Sequence, residues 1–390
     1  MNKTTAFVSA VLLAVACEVL DFRPDAEPGT VPGPEPEQPA PPPVLDTFLL
    51  VSAVAVPQDY DWRRDTACGA VSCEIVLYKD MERQFALSTA SGVSPDPDMH
   101  HLIGGHLYAE GSVGDRTVIW RDESILVDFE GREYLLGILD LPGGVYTLTR
   151  RRSGAGFAFR KDGVLVYGSE TGKVFGDLFD TAYPPTGALY LDGEEPCFCF
   201  LDGYEFSRRV YVCRDGVAAA GADLEFADEV LDARCMDGKL SYLVRDAATT
   251  TLHIDSVAVD VGKSRALEWD WASLGMRSGG EWFITGDFRQ SGAPASGMLE
   301  AGGRVVRLGD SGSRLYREGD AVVALPRSRQ ETQDYYFFSS RCACLFGGEL
   351  YQALTPRAKG KKLKLRLGPR DTELEINGFL TGIDVAVVPQ

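Results

Sequence analysis

Phe157-Ala-Phe-Arg-Lys-Asp-Gly-Val-Leu-Val-Tyr167 decides the fold class. Two short runs of aromatic and β-branched residues flank Lys161-Asp-Gly163, and such runs favour extended chain. Asp and Gly tolerate the positive φ that a tight hairpin turn demands, so the segment reads as strand, turn, strand. The phrase recurs. Val118-Ile-Trp-Arg-Asp122 leads into Ile125-Leu-Val-Asp-Phe129, Val210-Tyr-Val-Cys-Arg-Asp-Gly216 into Val217, and Leu252-His-Ile-Asp255 into Val257-Ala-Val-Asp-Val261. Weaker copies lie over Glu74–Leu87 and Met298–Leu308.

A second phrase alternates with the first, a glycine followed by a short aromatic strand. It is seen at Gly104-Gly-His-Leu-Tyr108, Gly143-Gly-Val-Tyr146, Gly187-Ala-Leu-Tyr190, Gly238-Lys-Leu-Ser-Tyr242, Gly279-Gly-Glu-Trp282 and Gly347-Gly-Glu-Leu-Tyr351. Gly312-Ser-Arg-Leu-Tyr316 is a further candidate copy. The first five are spaced by about 40 to 50 residues. A unit of that length with about four strands is the blade of a β-propeller. No long apolar stripe of period 3.6 is present, which argues against helical repeats. A pair of β-sandwiches also has many short strands, but recurrence of one phrase favours the propeller. Counting each glycine–aromatic phrase with its hairpin, plus an N-terminal unit from Asp46, predicts an all-β propeller of seven blades, with six and eight the neighbouring counts.

The N-terminus carries an address. Lys3 is followed by the apolar run Ala6–Ala16, broken only by Ser9, and then by Cys17. This is the layout of a secretory signal and is too short to span a bilayer of roughly 30 Å. Leu13-Ala-Val-Ala-Cys17 resembles a bacterial lipobox, although the usual leucine three places before the cysteine is Ala14 here. The resemblance implies cleavage before Cys17 and acylation of its thiol. Arg23–Val44 is rich in proline, a composition that favours extended polyproline II chain at ~3.1 Å per residue. The expected organisation is therefore a signal over 1–17, a proline-rich linker over 18–45 and the propeller over 46–390. Membrane attachment is expected through the N-terminal lipid.

The net charge of −18 opposes nonspecific nucleic-acid binding, because counterion displacement from phosphates needs a basic surface. Hydrophobic residues make up 45 % of the chain, enough for a large core. Of 9 cysteines, eight remain after Cys17. Cys68 and Cys73 flank a short turn and are the best candidates for a disulfide in an oxidising compartment. Cys197-Phe-Cys199 and Cys342-Ala-Cys344 read as small hydrophobes on strands.

Candidate binding residues are aromatic. Asp61-Trp-Arg-Arg-Asp65 sets Arg63 beside Trp62, either a stacking platform for a ligand or a loop cap held by Arg–Asp pairs. Trp269 and Trp271, at i and i+2, would share one strand face as a carbohydrate platform does, or pack in the core. His100, His101 and His106 lie near Asp96 and Asp98, but adjacent strand residues face opposite ways, so no metal site is assigned. Lys359-Gly-Lys-Lys-Leu-Lys-Leu-Arg-Leu367 reads as a half-buried strand with its lysines outward. The chain shows no G-x-S-x-G, P-loop, H-E-x-x-H or sialidase-type box. No catalytic residue and no cofactor are assigned.

The hairpins Trp120-Arg-Asp122, Arg160-Lys-Asp-Gly163 and Arg214-Asp-Gly216 behind a lipobox resemble the propeller-like lipoproteins of Bacteroidetes-type bacteria, over roughly residues 46 to 388. The resemblance implies a cell-envelope location, in the outer membrane, and a propeller architecture. It brings no catalytic residues. The leading expectation is an envelope lipoprotein whose propeller binds a protein or glycan ligand without catalysis. The alternatives are a glycan-active hydrolase or lyase on the same scaffold, and a structural subunit of an envelope assembly.

Overall fold

The computed structural model describes residues 45–389 apart from 66, 152–155, 177–187, 205–206, 225–228, 247–248, 256, 278–279, 319, 327–331, 333 and 340. The expected signal and nearly all of the linker, with Cys17, lie outside the described residues. So do the first glycines of two quoted phrases, Gly187 and Gly279.

The described chain is antiparallel sheet throughout, with three short 3-10 turns and no α-helix. Eight sheets follow in chain order. Sheet 2 runs His100–Ile103, His106–Val113, Arg116–Arg121, Ser124–Glu130. Sheet 3 runs Glu133–Leu141, Gly144–Arg151, Phe157–Lys161, Val164–Ser169. In sheet 4, Lys173–Val174 and Tyr190–Asp192 both pair with Glu195–Tyr204, followed by Ser207–Arg214 and Val217–Leu224. Sheet 5 spans Glu229–Met236 to Val257–Asp260 and sheet 6 Leu267–Met276 to Val305–Gly309, with four strands each. Sheet 7 is the hairpin Arg314–Glu318 with Ala321–Leu325. Sheet 8 is built on Glu349–Pro356 and ends at Arg370–Leu374.

Sheet 1 joins the chain ends. Leu45–Ala55, Glu74–Lys79 and Glu82–Ser88 form its outer part, and Gly378–Pro389 pairs antiparallel with Leu45–Ala55 from Leu45↔Pro389 to Ala55↔Gly378. Burial along Leu45–Ala55 shows why this is a propeller and not a sandwich. Leu50 and Val54 join a core cluster with Leu107 and Trp120 of sheet 2. Val51 and Ala53, on the opposite face, join one with Ala353 and Leu354 of sheet 8. Both faces are dry because each sheet has a neighbour on either side. Further clusters fill the seams between sheets 2 and 3, 3 and 4, 4 and 5, and 5 and 6. A two-sheet sandwich would leave each sheet's outer face in water.

The all-β propeller expected from the repeats is the fold observed. Seven of its sheets have four or five strands and one has two. The two-stranded sheet begins just after Gly312, at the copy of the glycine–aromatic phrase that stood apart in the sequence. Both phrases now have a place. In sheets 2 and 8 the glycine phrase is a hairpin turn, at Gly104-Gly105 between His100–Ile103 and His106–Val113 and at Gly347-Gly348 between Ala343–Phe346 and Glu349–Pro356. The Asp phrase is the turn between the third and fourth strands. Asp80, Asp122, Asp162, Asp215 and Asp255 all have φ between 42° and 53°, and each backbone N–H donates to a carbonyl of the neighbouring strand, on Leu49, Leu107, Val145, Pro196 and Leu240 respectively. In the first three, a carboxylate oxygen also accepts the N–H of that same residue, at 2.9, 3.0 and 2.8 Å. Asp is one of the few residues that visit left-handed backbone at little cost, and here its side chain closes a reciprocal pair of bonds.

Candidate functional site

The inner strands of sheets 1, 2, 3, 4 and 8 enclose a cavity of about 530 Å³. Its wall is mainly aliphatic, with Leu102, Leu136, Ile138, Leu189 and Ile383. One histidine, one arginine and one aspartate interrupt it, His101, Arg341 and Asp384, together with Tyr190 and Cys344. Each sits where the local sequence reads as apolar strand, which is why it is forced inward.

Arg341 precedes the inner strand Ala343–Phe346, and its carbonyl accepts the N–H of Ile383 at 3.0 Å. Its guanidinium crosses to sheet 2, where Nη1 donates to the Asp98 carbonyl at 2.8 Å and to that of Pro97 at 3.3 Å. Its Nε is buried without a hydrogen-bond partner. Burial lowers its pKa, against the pull of Asp98. His101 is buried beside it with Nε2 unpartnered; burial first and Arg341 second hold the ring neutral, well below the usual histidine pKa. Asp384 accepts the N–H of Val385 at 2.9 Å, and burial pushes its carboxyl up to about 6. A buried donor without a partner is uncommon, and perturbed groups in a cavity mark a candidate binding site.

The histidines part company. His100, on the opposite strand face from His101, donates from Nε2 to the Ser94 carbonyl at 2.7 Å, and burial lowers it to about 4. His106 Nδ1 pairs with Asp122 at 2.6 Å. Among the described residues, no group of three or more His, Cys, Asp or Glu is set to hold a metal ion.

The aromatic candidates lie away from the cavity. Trp62 is 1 % exposed and packs on Phe338 and Phe379. Arg63 does stack on its ring, 4.3 Å from the centroid, and both Arg63 and Arg64 reach Asp61, so this is the loop cap. Trp269 is 2 % exposed and packs on Phe288. It does not share a face with Trp271, because a bulge between them pairs Trp269 with Phe288 and Trp271 with the adjacent Asp287. One inserted residue inverts the alternation.

Cys68 and Cys73 are both buried and lie in one core cluster. In the basic run, Leu363 and Leu365 are buried while Lys364 and Arg366 pair with Asp371. The strand is half-buried as expected but internal to its sheet, with Arg370–Leu374 outside it. Sequence reasoning passed over Arg341 and Asp384. The available signal was one charge in each of two apolar stretches, Phe337–Phe346 and Phe379–Val388.

The chain matches no protein-family model and no curated protein sequence. Solved structures similar to it include the β-propeller domain of the Trilobed protease from Pyrococcus furiosus, at 7 % identity and TM-score 0.41, covering 85 % of this chain and 93 % of that one. Kluyveromyces lactis Hsv2 is similar at 10 % identity and TM-score 0.38, over 79 % and 98 %. TolB from Acinetobacter baumannii is similar at 10 % and 0.35, over 87 % and 82 %.

Proposed function

We propose that this chain is a cell-envelope lipoprotein whose propeller binds, without catalysis, a ligand that presents a carboxylate to the central cavity. The observation that carries the binding half is the pair of basic side chains, Arg341 and His101, set together in a mainly aliphatic wall. An entering carboxylate would meet the basic edge that Arg341 and His101 set into this wall, and charge-assisted bonds to a guanidinium are among the strong ones. The aliphatic residues would cover the ligand's apolar body. Asp384 is the one carboxylate among the described lining residues, whereas glycoside hydrolysis calls for two at a set separation. That favours binding over the glycan-active alternative.

The test uses acidic oligosaccharides, neutral oligosaccharides and short peptides with free or amidated C-termini, titrated against the soluble domain by calorimetry. Binding is expected for carboxylate-bearing probes and should weaken about tenfold or more in Arg341→Met, a loss of at least one charge-assisted bond. Equal binding of neutral and acidic probes, or none at all, would sink the assignment.

The envelope half rests on the lipobox-like Leu13–Cys17 and the proline-rich linker. Cys17→Ser in a bacterial host is expected to abolish lipid labelling and move the protein from the membrane pellet to the soluble fraction. Unchanged processing and pelleting would overturn the anchor.

A further inference from the structure

The seam between sheets 4 and 5 holds a side-chain cluster that shares only Tyr190 with the cavity wall. Cys197 lies on Glu195–Tyr204 of sheet 4, and Cys235 on Glu229–Met236, the first strand of sheet 5. The two side chains pack into one core cluster across the seam. Cys235 Sγ accepts from Arg214 Nη2 at 2.7 Å and lies 3.2 Å from Asp192 Oδ2. Asp192 pairs with Arg214 at 3.0 Å and accepts the N–H of Gly238. Tyr190 ties the cluster together, its hydroxyl accepting the Cys235 N–H at 2.7 Å and standing 3.6 Å from Cys199 Sγ. Cys197, expected to pack as a plain hydrophobe, thus shares its cluster with Cys235, a cysteine held between a guanidinium and a carboxylate.

The geometry points to a peroxide-reactive dithiol, in which Cys235 attacks a hydroperoxide and Cys197 completes an inter-sheet disulfide. The Cys235 sulfur, as thiolate facing Arg214, takes the terminal oxygen of ROOH. The O–O bond breaks, ROH leaves with the thiol's proton, and a sulfenic acid forms. The Cys197 sulfur then attacks the Cys235 sulfur, the S–O bond breaks and water leaves with the second proton. Two electrons pass from the dithiol to the peroxide, so two thiols and ROOH become a disulfide, ROH and H₂O. Reactivity follows thiolate character and access. The neighbouring Cys197 thiol and Arg214 lower the Cys235 pKa, against burial and Asp192, whereas burial raises those of Cys199 and Cys213. Cys235 is 5 % exposed, and a small hydroperoxide would approach it from the side of Arg214, whose side chain is 33 % exposed. The product would staple sheet 4 to sheet 5.

The reduced full chain, freed of reductant, is treated with equimolar hydrogen peroxide, quenched by alkylation in denaturant and mapped by mass spectrometry. A Cys197–Cys235 cross-linked peptide is expected, forming about tenfold faster than any change at Cys68 or Cys73. Cys197→Ser should stop at a Cys235 sulfenic acid that dimedone traps, and Arg214→Met should slow the reaction about tenfold. The wild-type mapping stands alone if either variant fails to fold. A cross-link from Cys235 to Cys199, or oxidation at equal rates across all the cysteines, would overturn the assignment.

Discussion

Arg160 belongs to the hairpin phrase that named the fold, yet its side chain turns inward. Its guanidinium meets the Glu133 carboxylate with two bonds of 2.7 and 2.9 Å, takes in Thr149 Oγ1 at 2.8 Å, and covers the Phe129 ring at 4.1 Å. Both charged side chains are 10 % exposed or less. Removing one partner strands the other charge out of water. Glu133→Ala is therefore expected to destabilise the domain by about 3–5 kcal/mol, whereas the paired change Glu133→Leu with Arg160→Met should come close to neutral. Urea unfolding of both variants checks this, and an equal loss in the two would refute it. Asp162 illustrates the exposed end of the same hairpin. Asp162→Ala loses an acceptor and gains left-handed strain, together about 1 kcal/mol, while Asp162→Asn keeps both features and should lose less than half of that. The turn was legible in the sequence because Asp-Gly states a backbone requirement. The inward turn of Arg160 was not, since a partner 27 residues away decides it.

Among the elements, the closing strand Gly378–Pro389 does most to complete the fold. It is the inner strand of sheet 1, and it contributes Phe379, Leu380, Ile383 and Ala386 to the core. Each large apolar side chain fully buried is worth about 1.5–3 kcal/mol, and domains have only about 5–15 kcal/mol to lose. A chain ending at Asn377 is therefore expected not to fold as a ring. Near-UV circular dichroism should collapse and dye binding to exposed apolar surface should rise. Retention of a cooperative unfolding transition would show that closure by this strand is dispensable. That the last strand would pair with the first, and not with a partner nearby in sequence, could not be read from repeats. Repeats report what each unit contains, and pairing across the whole chain length depends on how many units the ring needs.

At the scale of the whole molecule the cavity couples stability to pH. Asp384 has a folded pKa raised by burial to about 6, against about 3.9 for an unperturbed aspartate. A carboxyl whose folded pKa is raised opposes folding once it ionises. The penalty is absent well below pH 4, where both states are protonated, grows as pH rises from about 4 to about 6, and is complete above that, where both are ionised. It amounts to about 3 kcal/mol at pH 7. Asp384→Asn is expected to stabilise the domain by that order at pH 7 and scarcely at pH 4. A gain of the same size at both pH values would show that the effect is not ionisation of this carboxyl.

Local chemistry written along the chain was sufficient for the strands, the two kinds of turn, the repeat length and hence the propeller. Each of these depends on residues within a few positions of one another, so periodicity and turn residues report them directly. The binding cavity, the dithiol seam and the closing pair of strands join residues from separate sheets. Which side chains converge there depends on the curvature of the ring, on the count of sheets and on single bulges such as the one at Trp269–Trp271. Those are properties of packing, and one inserted residue is enough to send a side chain to the opposite face.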